Sequence, residues 1–201
     1  MKKLISKSIK LEKIITVKDR TELYDIIHER LIKSSDLDLS DINVSKLTSF
    51  NDLFFCCGAT TINVSGWNIS NATDLSEMFS RCKSLQEIIG LETWDMSNVE
   101  DIMGMFNCCE DLQKINISTW NTEKCKNMSW VFADCRDLET LGAKEITLNC
   151  KSSLDVTKMF LNCYSLKGII HLDNVSKHAN GVNLLDDQSK NMTGLLDVQI
   201  V

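Results

Sequence analysis

The sequence predicts an α/β solenoid of about five strand-plus-short-helix units, closed by an N-terminal helix and an irregular C-terminal cap. Two observations carry this reading. A Phe recurs at positions 54, 79, 106, 132 and 160, at intervals of 25, 27, 26 and 28 residues. Fixed companions travel with it. Three places after each Phe stands a cysteine: Cys57, Cys82, Cys109, Cys135 and Cys163. Twelve places before it stands a large apolar residue: Ile42, Trp67, Trp94, Trp120 and Leu148. Chance does not hold such registers in step over most of a chain.

The remaining positions fill in the unit. Leu53, Met78, Met105, Val131 and Met159 precede each Phe, and Leu85, Leu112, Leu138 and Leu166 follow the last four at six places. Ile88, Ile115, Leu141 and Ile169 come three places later. The first unit is degenerate, with Thr60 in the Leu position and one residue fewer, so that Ile62 aligns with Ile115. Around these isoleucines the pattern alternates, as in a strand: Ile115 and Ile117 face in, Lys114 and Asn116 out. Between Trp and Phe the spacing changes to that of a short helix or turn. Val99, Ile102, Met105 and Phe106 fall on one helical face, with Ser97 and Glu100 as a capping box. Asp74, Asp101 and Asp155 recur near these expected helix starts, where the dipole favours negative charge. Stacked units then line up their strands as a parallel sheet, ~4.8 Å apart.

The ends break the pattern. Residues 1–35 form an N-terminal cap around an amphipathic helix over 19–33, with Asp19 and Glu22 as its capping box and Leu23, Ile26, Ile27 and Leu31 on its apolar face. The array occupies 36–170. Residues 171–201 form the C-terminal cap, ending in the apolar positions Leu195, Leu196, Val198 and Ile200.

The repeat string F-x-x-C-x-x-L-x-x-I, preceded by W-D-x-S-N-V-x-D-x-x-x-M-F, resembles the BspA-type leucine-rich repeats. Trp94-Asp95-Met96-Ser97-Asn98-Val99-Glu100-Asp101-Ile102-Met103-Gly104-Met105-Phe106 carries it in nearly full form, and the similarity spans roughly 36–170. The segment from Thr21 to Ile42 is similar to the leader of such arrays. The resemblance implies a leucine-rich-repeat-like fold, and adhesion or partner binding as in bacterial surface proteins, mycoplasma lipoproteins and secreted adhesion factors.

Composition narrows the class of function. A net charge of −6 in 201 residues disfavours nonspecific binding to phosphate backbones, which needs a basic surface. No apolar run reaches the ~18 residues of a membrane span, and the basic start, Met1 to Lys13, lacks the apolar stretch of a secretory signal. We therefore expect a cytoplasmic protein, no membrane association, and reduced thiols. The nine cysteines are odd in number, contain no C-x-x-C pair, and lie apart from the three histidines, 28, 171 and 178. Metal, disulfide and redox readings of the Cys column are open, but packing as a compact apolar column is preferred. Cys56, Cys108, Cys125 and Cys150 are the expected reactive thiols. The Trp column likewise reads as core rather than as a stacking platform for sugars or bases.

No catalytic constellation, cofactor loop or metal set emerges, so the expectation is a non-enzymatic protein-binding module without cofactor. Solenoids carry binding on the residues that point out of the sheet. Those positions are Thr61, Asn63, Glu87, Ile89, Lys114, Asn116, Thr140 and Ile170, alongside Gly142 and Gly168. Trp130, out of register beside Val131, is the expected exposed aromatic hot spot. A narrower form is an intracellular inhibitor of a larger host protein or nucleic-acid enzyme, of phage or mobile-element type. The alternative is an extracellular adhesin.

Overall fold

The inward residues of each repeat occupy equivalent places around a closed coil, so stacking the coils buries them in continuous columns. A computed structural model describes residues 14–149, 154–172 and 196–200 of this arrangement. It is a β-solenoid of about six turns. Cys150, His178 and most of the expected C-terminal cap lie outside the described residues.

At the N-terminal end, β1 (Ile15–Thr16) pairs in parallel with β3 (Ile42–Asn43). Between them α1 (Arg20–Leu31) forms as the sequence predicts. Asp19 caps it by accepting from the Glu22 amide at 3.0 Å, and Glu22 accepts from the Lys18 amide. Leu23 and Ile27 are buried against the first coil. Arg30 clamps the helix to the array with two hydrogen bonds to the Asp41 carboxylate, 2.6 and 2.9 Å, which hold that carboxyl below its usual range.

The array strands are short and parallel. β2 (Asp36–Asp38), β4 (Thr61–Asn63) and β5 (Glu87–Ile89) form one sheet; β6 (Glu145–Leu148), β7 (Gly168–Leu172) and β8 (Leu196–Ile200) form another. A single bridge, Lys114 to Thr140, lies on the strand side between them. The C-terminal cap is thus regular over its described part, because β8 extends the parallel sheet by one strand.

Of the short helix or turn expected in each unit, the described residues show the turn. Among the described residues the array contains one short 3-10 segment, Leu91–Thr93, and no α-helix. A chain of tight turns takes its place. Amides donate three residues back, as in Met105 to Ile102, Cys109 to Phe106 and Leu112 to Cys109. Both ends of each turn point inward, which produces the i, i+3 apolar spacing that reads as a helix. The remaining amides leave the coil altogether. Phe50, Asp52, Phe54 and Cys56 donate to Asp74, Ser76, Met78 and Ser80 of the next coil, and the set repeats down the stack. This requires left-handed backbone two residues before and two after each repeat Phe: Asp52 and Cys56, Glu77 and Arg81, Gly104 and Cys108, Trp130 and Asp134, Lys158 and Asn162 all have positive φ.

The capping roles assigned to Ser97, Asp74, Asp101 and Asp155 change accordingly. Ser97 donates its amide to Asp95. Ser49, Asp74, Asp101, Asn127 and Asp155 form a column of parallel bridges. The acidic and amide side chains of that column accept from the amide two residues on, closing the next turn.

The core is a set of columns. The repeat phenylalanines stack face to face from Phe54 to Phe160, with centroids 5.1 to 5.7 Å apart and ring planes within 5°. Trp67, Trp94 and Trp120 are buried with Ile42 and Leu148, as the register predicts. The cysteine column packs as predicted and also forms hydrogen bonds. Cys82, Cys109, Cys135 and Cys163 donate their thiols to the carbonyls of Phe54, Phe79, Phe106 and Phe132 in the preceding coil, at 2.9 to 3.1 Å. Each of those carbonyls also accepts the amide of the Cys in its own coil. The thiol therefore satisfies a second lone pair that an aliphatic side chain would leave bare.

Candidate functional site

The sheet face foreseen as a binding surface is present in part. Glu87, Ile89 and Lys114 are exposed and Thr61 half-exposed, and β4 pairs Thr61 with Glu87 and Asn63 with Ile89. Asn63 and Asn116 are less available than the alternation suggests. Each turns its side-chain oxygen back to accept from the amide and hydroxyl of the serine two places on. Thr140 likewise accepts from the Gly142 amide, and the Asn116 side chain lies directly over Gly142, where a Cβ would clash.

Ile170 does not face out. It is buried at 2%, and Ile169 and His171 take the outward positions of β7. Four residues separate Leu166 from Ile170, whereas three separate Leu85 from Ile88. The extra residue is accommodated at Gly168, whose φ is +132°. A slip of one residue inverts a strand's faces, and here it does. His171 uses its outward position to meet Glu145 at 2.6 Å.

Trp130 is half-buried rather than exposed, and the Lys158 ammonium sits 4.3 Å above its ring. Its departure from register has a backbone cause, since it occupies a left-handed position before Phe132. Among the expected reactive thiols, Cys56 is exposed and Cys108 intermediate, but Cys125 is buried at 2%. Burial drives the Cys109, Cys135 and Cys163 thiols well above their ordinary range. Cys57 goes the other way, down to about 7, because its thiolate would draw the Cys82 thiol proton away from the Phe54 carbonyl, and that hydrogen bond outweighs its burial. Among the described residues no group of three or more metal-ligating side chains occurs.

Sequence reasoning missed an apolar opening at the N-terminal end. A groove of about 350 Å³ lies between the C-terminal half of α1 and the turn 53–58 of the first coil. Tyr24, Ile27, His28, Leu31 and Ile32 form the helix wall; Leu53 to Gly58 form the other. Three of the five exposed large apolar side chains among the described residues line it: Tyr24 at 54%, Ile32 at 75% and Phe55 at 41%. The Tyr24 and His28 rings stack at 6.5 Å along the helix, and the Arg81 guanidinium caps the Phe55 ring at 5.6 Å. The sequence does hold a signal: Phe55 follows a core Phe where later coils carry Ser80, Asn107, Ala133 and Leu161.

A stack of turn-built coils with parallel strands, its core set by Phe, Cys and Trp columns, defines a repeat β-solenoid. The chain belongs to the family described as Mycoplasma protein of unknown function, DUF285, whose model matches residues 27–90 and 87–195. No curated protein and no solved structure matches it.

Proposed function

We propose that this solenoid is a non-catalytic protein-binding module whose principal contact is the groove between α1 and the first coil. The carrying observation is the gathering of Tyr24, Ile32 and Phe55 around one opening. Exposed aromatic and aliphatic anchors beside a cleft are what a protein partner's apolar side chain fills. The sheet face at Thr61, Glu87, Ile89 and Lys114 offers a second, more polar surface with a single large apolar side chain.

Two roles fit such a module: an intracellular inhibitor of a larger host protein or nucleic-acid enzyme, and an adhesin. BspA-like surface proteins contain this repeat, which favours the second. Fractionation of the native cell separates them, since an adhesin localises with the envelope and an inhibitor with its cytoplasmic target.

A photo-crosslinking residue in place of Phe55, introduced in the native cell, tests the contact. We expect one discrete polypeptide adduct that disappears when Tyr24→Asp and Ile32→Asp are added. Adducts formed instead from positions 87 and 114, and sensitive to joint charge reversal of Glu87 and Lys114, would move the contact to the sheet face.

A further inference from the structure

Beside the groove stands a cation with no acid to meet it. The chain has four arginines. Three are bonded within the protein: Arg20 donates to the Asn51 carbonyl, Arg30 to the Asp41 carboxylate, and Arg136 lies by Glu110 and Asp134. Arg81 is the fourth. Among the described residues its guanidinium meets no carboxylate or carbonyl oxygen, and lies instead over the Phe55 ring, 5.6 Å from the centroid.

The register of the coils explains the difference. Arg136 shares a column with Lys83 and Glu110, where charge alternates from coil to coil and Glu110 meets both cations. Arg81 stands two places after its repeat Phe, and that column puts Cys56 on one side of it and Cys108 on the other. Neither brings a carboxylate. A cation–π contact holds the guanidinium in place yet uses none of its five N–H donors, so its planar fork stays open to a carboxylate.

Phe55 joins this cation to the groove. It is 41% exposed, lines the opening and carries Arg81 on its ring. The carboxylates nearby do not cancel the charge. Asp52 accepts from the Asn51 side-chain amide at 3.2 Å. Asp25 and Glu29 each follow a groove residue by one place, about 100° round the helix from it. The net charge of −6 repels acids at long range, but screening confines that repulsion to about 8 Å at physiological salt. Close to the rim, Arg81 sets the sign.

We propose that the groove and Arg81 together recognise a protein segment in which an apolar anchor residue is followed by Asp or Glu. The anchor side chain enters between Tyr24 and Phe55. The adjacent carboxylate accepts from the Arg81 guanidinium across the rim of the Phe55 ring. Charge complementarity selects this occupant, because an apolar cleft beside an unfilled arginine fork matches an apolar group beside a carboxylate. The assignment rests on the groove being the contact surface, and adds the charge that its occupant carries.

Disulfide tethering on the full chain tests it, because the exposed Cys56 thiol lines the groove and shares the Arg81 column. The probes are acetyl-Phe-Glu, acetyl-Phe-Gln and acetyl-Ala-Glu, each carrying a C-terminal cysteamine disulfide, used beside free cystamine. We expect capture at Cys56, lost in Cys56→Ser, to favour Phe-Glu over each of the other two by about fivefold. In Arg81→Gln the advantage over Phe-Gln should vanish while capture of Phe-Gln itself is unchanged. Equal capture of Phe-Glu and Phe-Gln by the parent chain, both above Ala-Glu, would overturn carboxylate recognition and leave the groove standing as a contact surface. So would a Glu preference that survives Arg81→Gln. Equal capture of Phe-Glu and Ala-Glu, or of no probe above cystamine, would overturn both the pairing and the groove. Concentration-dependent self-association abolished by Arg81→Gln would make a second copy of this chain the occupant, and so overturn the foreign segment.

Discussion

Single side chains in this fold are chosen for both their shape and one specific bond. Cys109 fills a small inward site and donates its thiol to the Phe79 carbonyl at 3.1 Å. Cys109→Ala removes both contributions and is expected to cost about 1–2 kcal/mol in urea unfolding, with Cys109→Ser recovering only part through its hydroxyl. The tryptophans separate by the same logic. Trp67 donates its indole N–H to the Leu39 carbonyl at 2.9 Å, whereas the buried Trp94 indole nitrogen has no partner among the described residues. Trp94→Phe should therefore destabilise less than Trp67→Phe, by about 1 kcal/mol, the net worth of one hydrogen bond. Backbone strain marks a third kind of site. Glu77 and Gly104 hold equivalent positions at positive φ. Glu77→Gly should be neutral or stabilising by up to about 1 kcal/mol, while Gly104→Val should cost roughly 1–2 kcal/mol. Thermal midpoints of the two variants decide it.

At the scale of elements, the turns and short strands are defined by which amides leave the coil. The Phe, Cys and Trp columns were legible in the sequence because burial at the same place in every coil leaves an unambiguous period. The choice between helix and turn from Trp to Phe was not, since a run of three-residue turns and an amphipathic helix bring similar spacings inward. What distinguishes them is whether an amide bonds its own coil or the next, and that partner lies about one repeat away. β7 carries the same lesson for register. Ile170→Asp, at the inward position, should unfold much of the C-terminal end, while Ile169→Asp should be tolerated. Limited proteolysis of the two variants reads the difference directly.

Across the whole molecule, the thiol column couples stability to pH. Cys109, Cys135 and Cys163 stay protonated in the fold well above the ordinary range, because burial disfavours the thiolate. Once pH passes about 9 the unfolded chain releases protons that the fold retains, so stability falls by up to about 1.4 kcal/mol per pH unit for each thiol. Cys57 has the opposite sign. With its folded value lowered to about 7, it contributes stability above its ordinary range that is lost as pH falls through 7. Three buried thiols outweigh one, so urea midpoints should drop steeply between about pH 9 and pH 11. A flat profile would mean that the column admits water. The sequence by itself determined the repeat, its columns and the capping helix, since each follows from periodic burial or from local capping chemistry. Only the tertiary structure decided the turn-built coils, the inward Ile170 and the groove at the first coil. Those depend on which amide meets which carbonyl across coils, and on how α1 packs against the first of them.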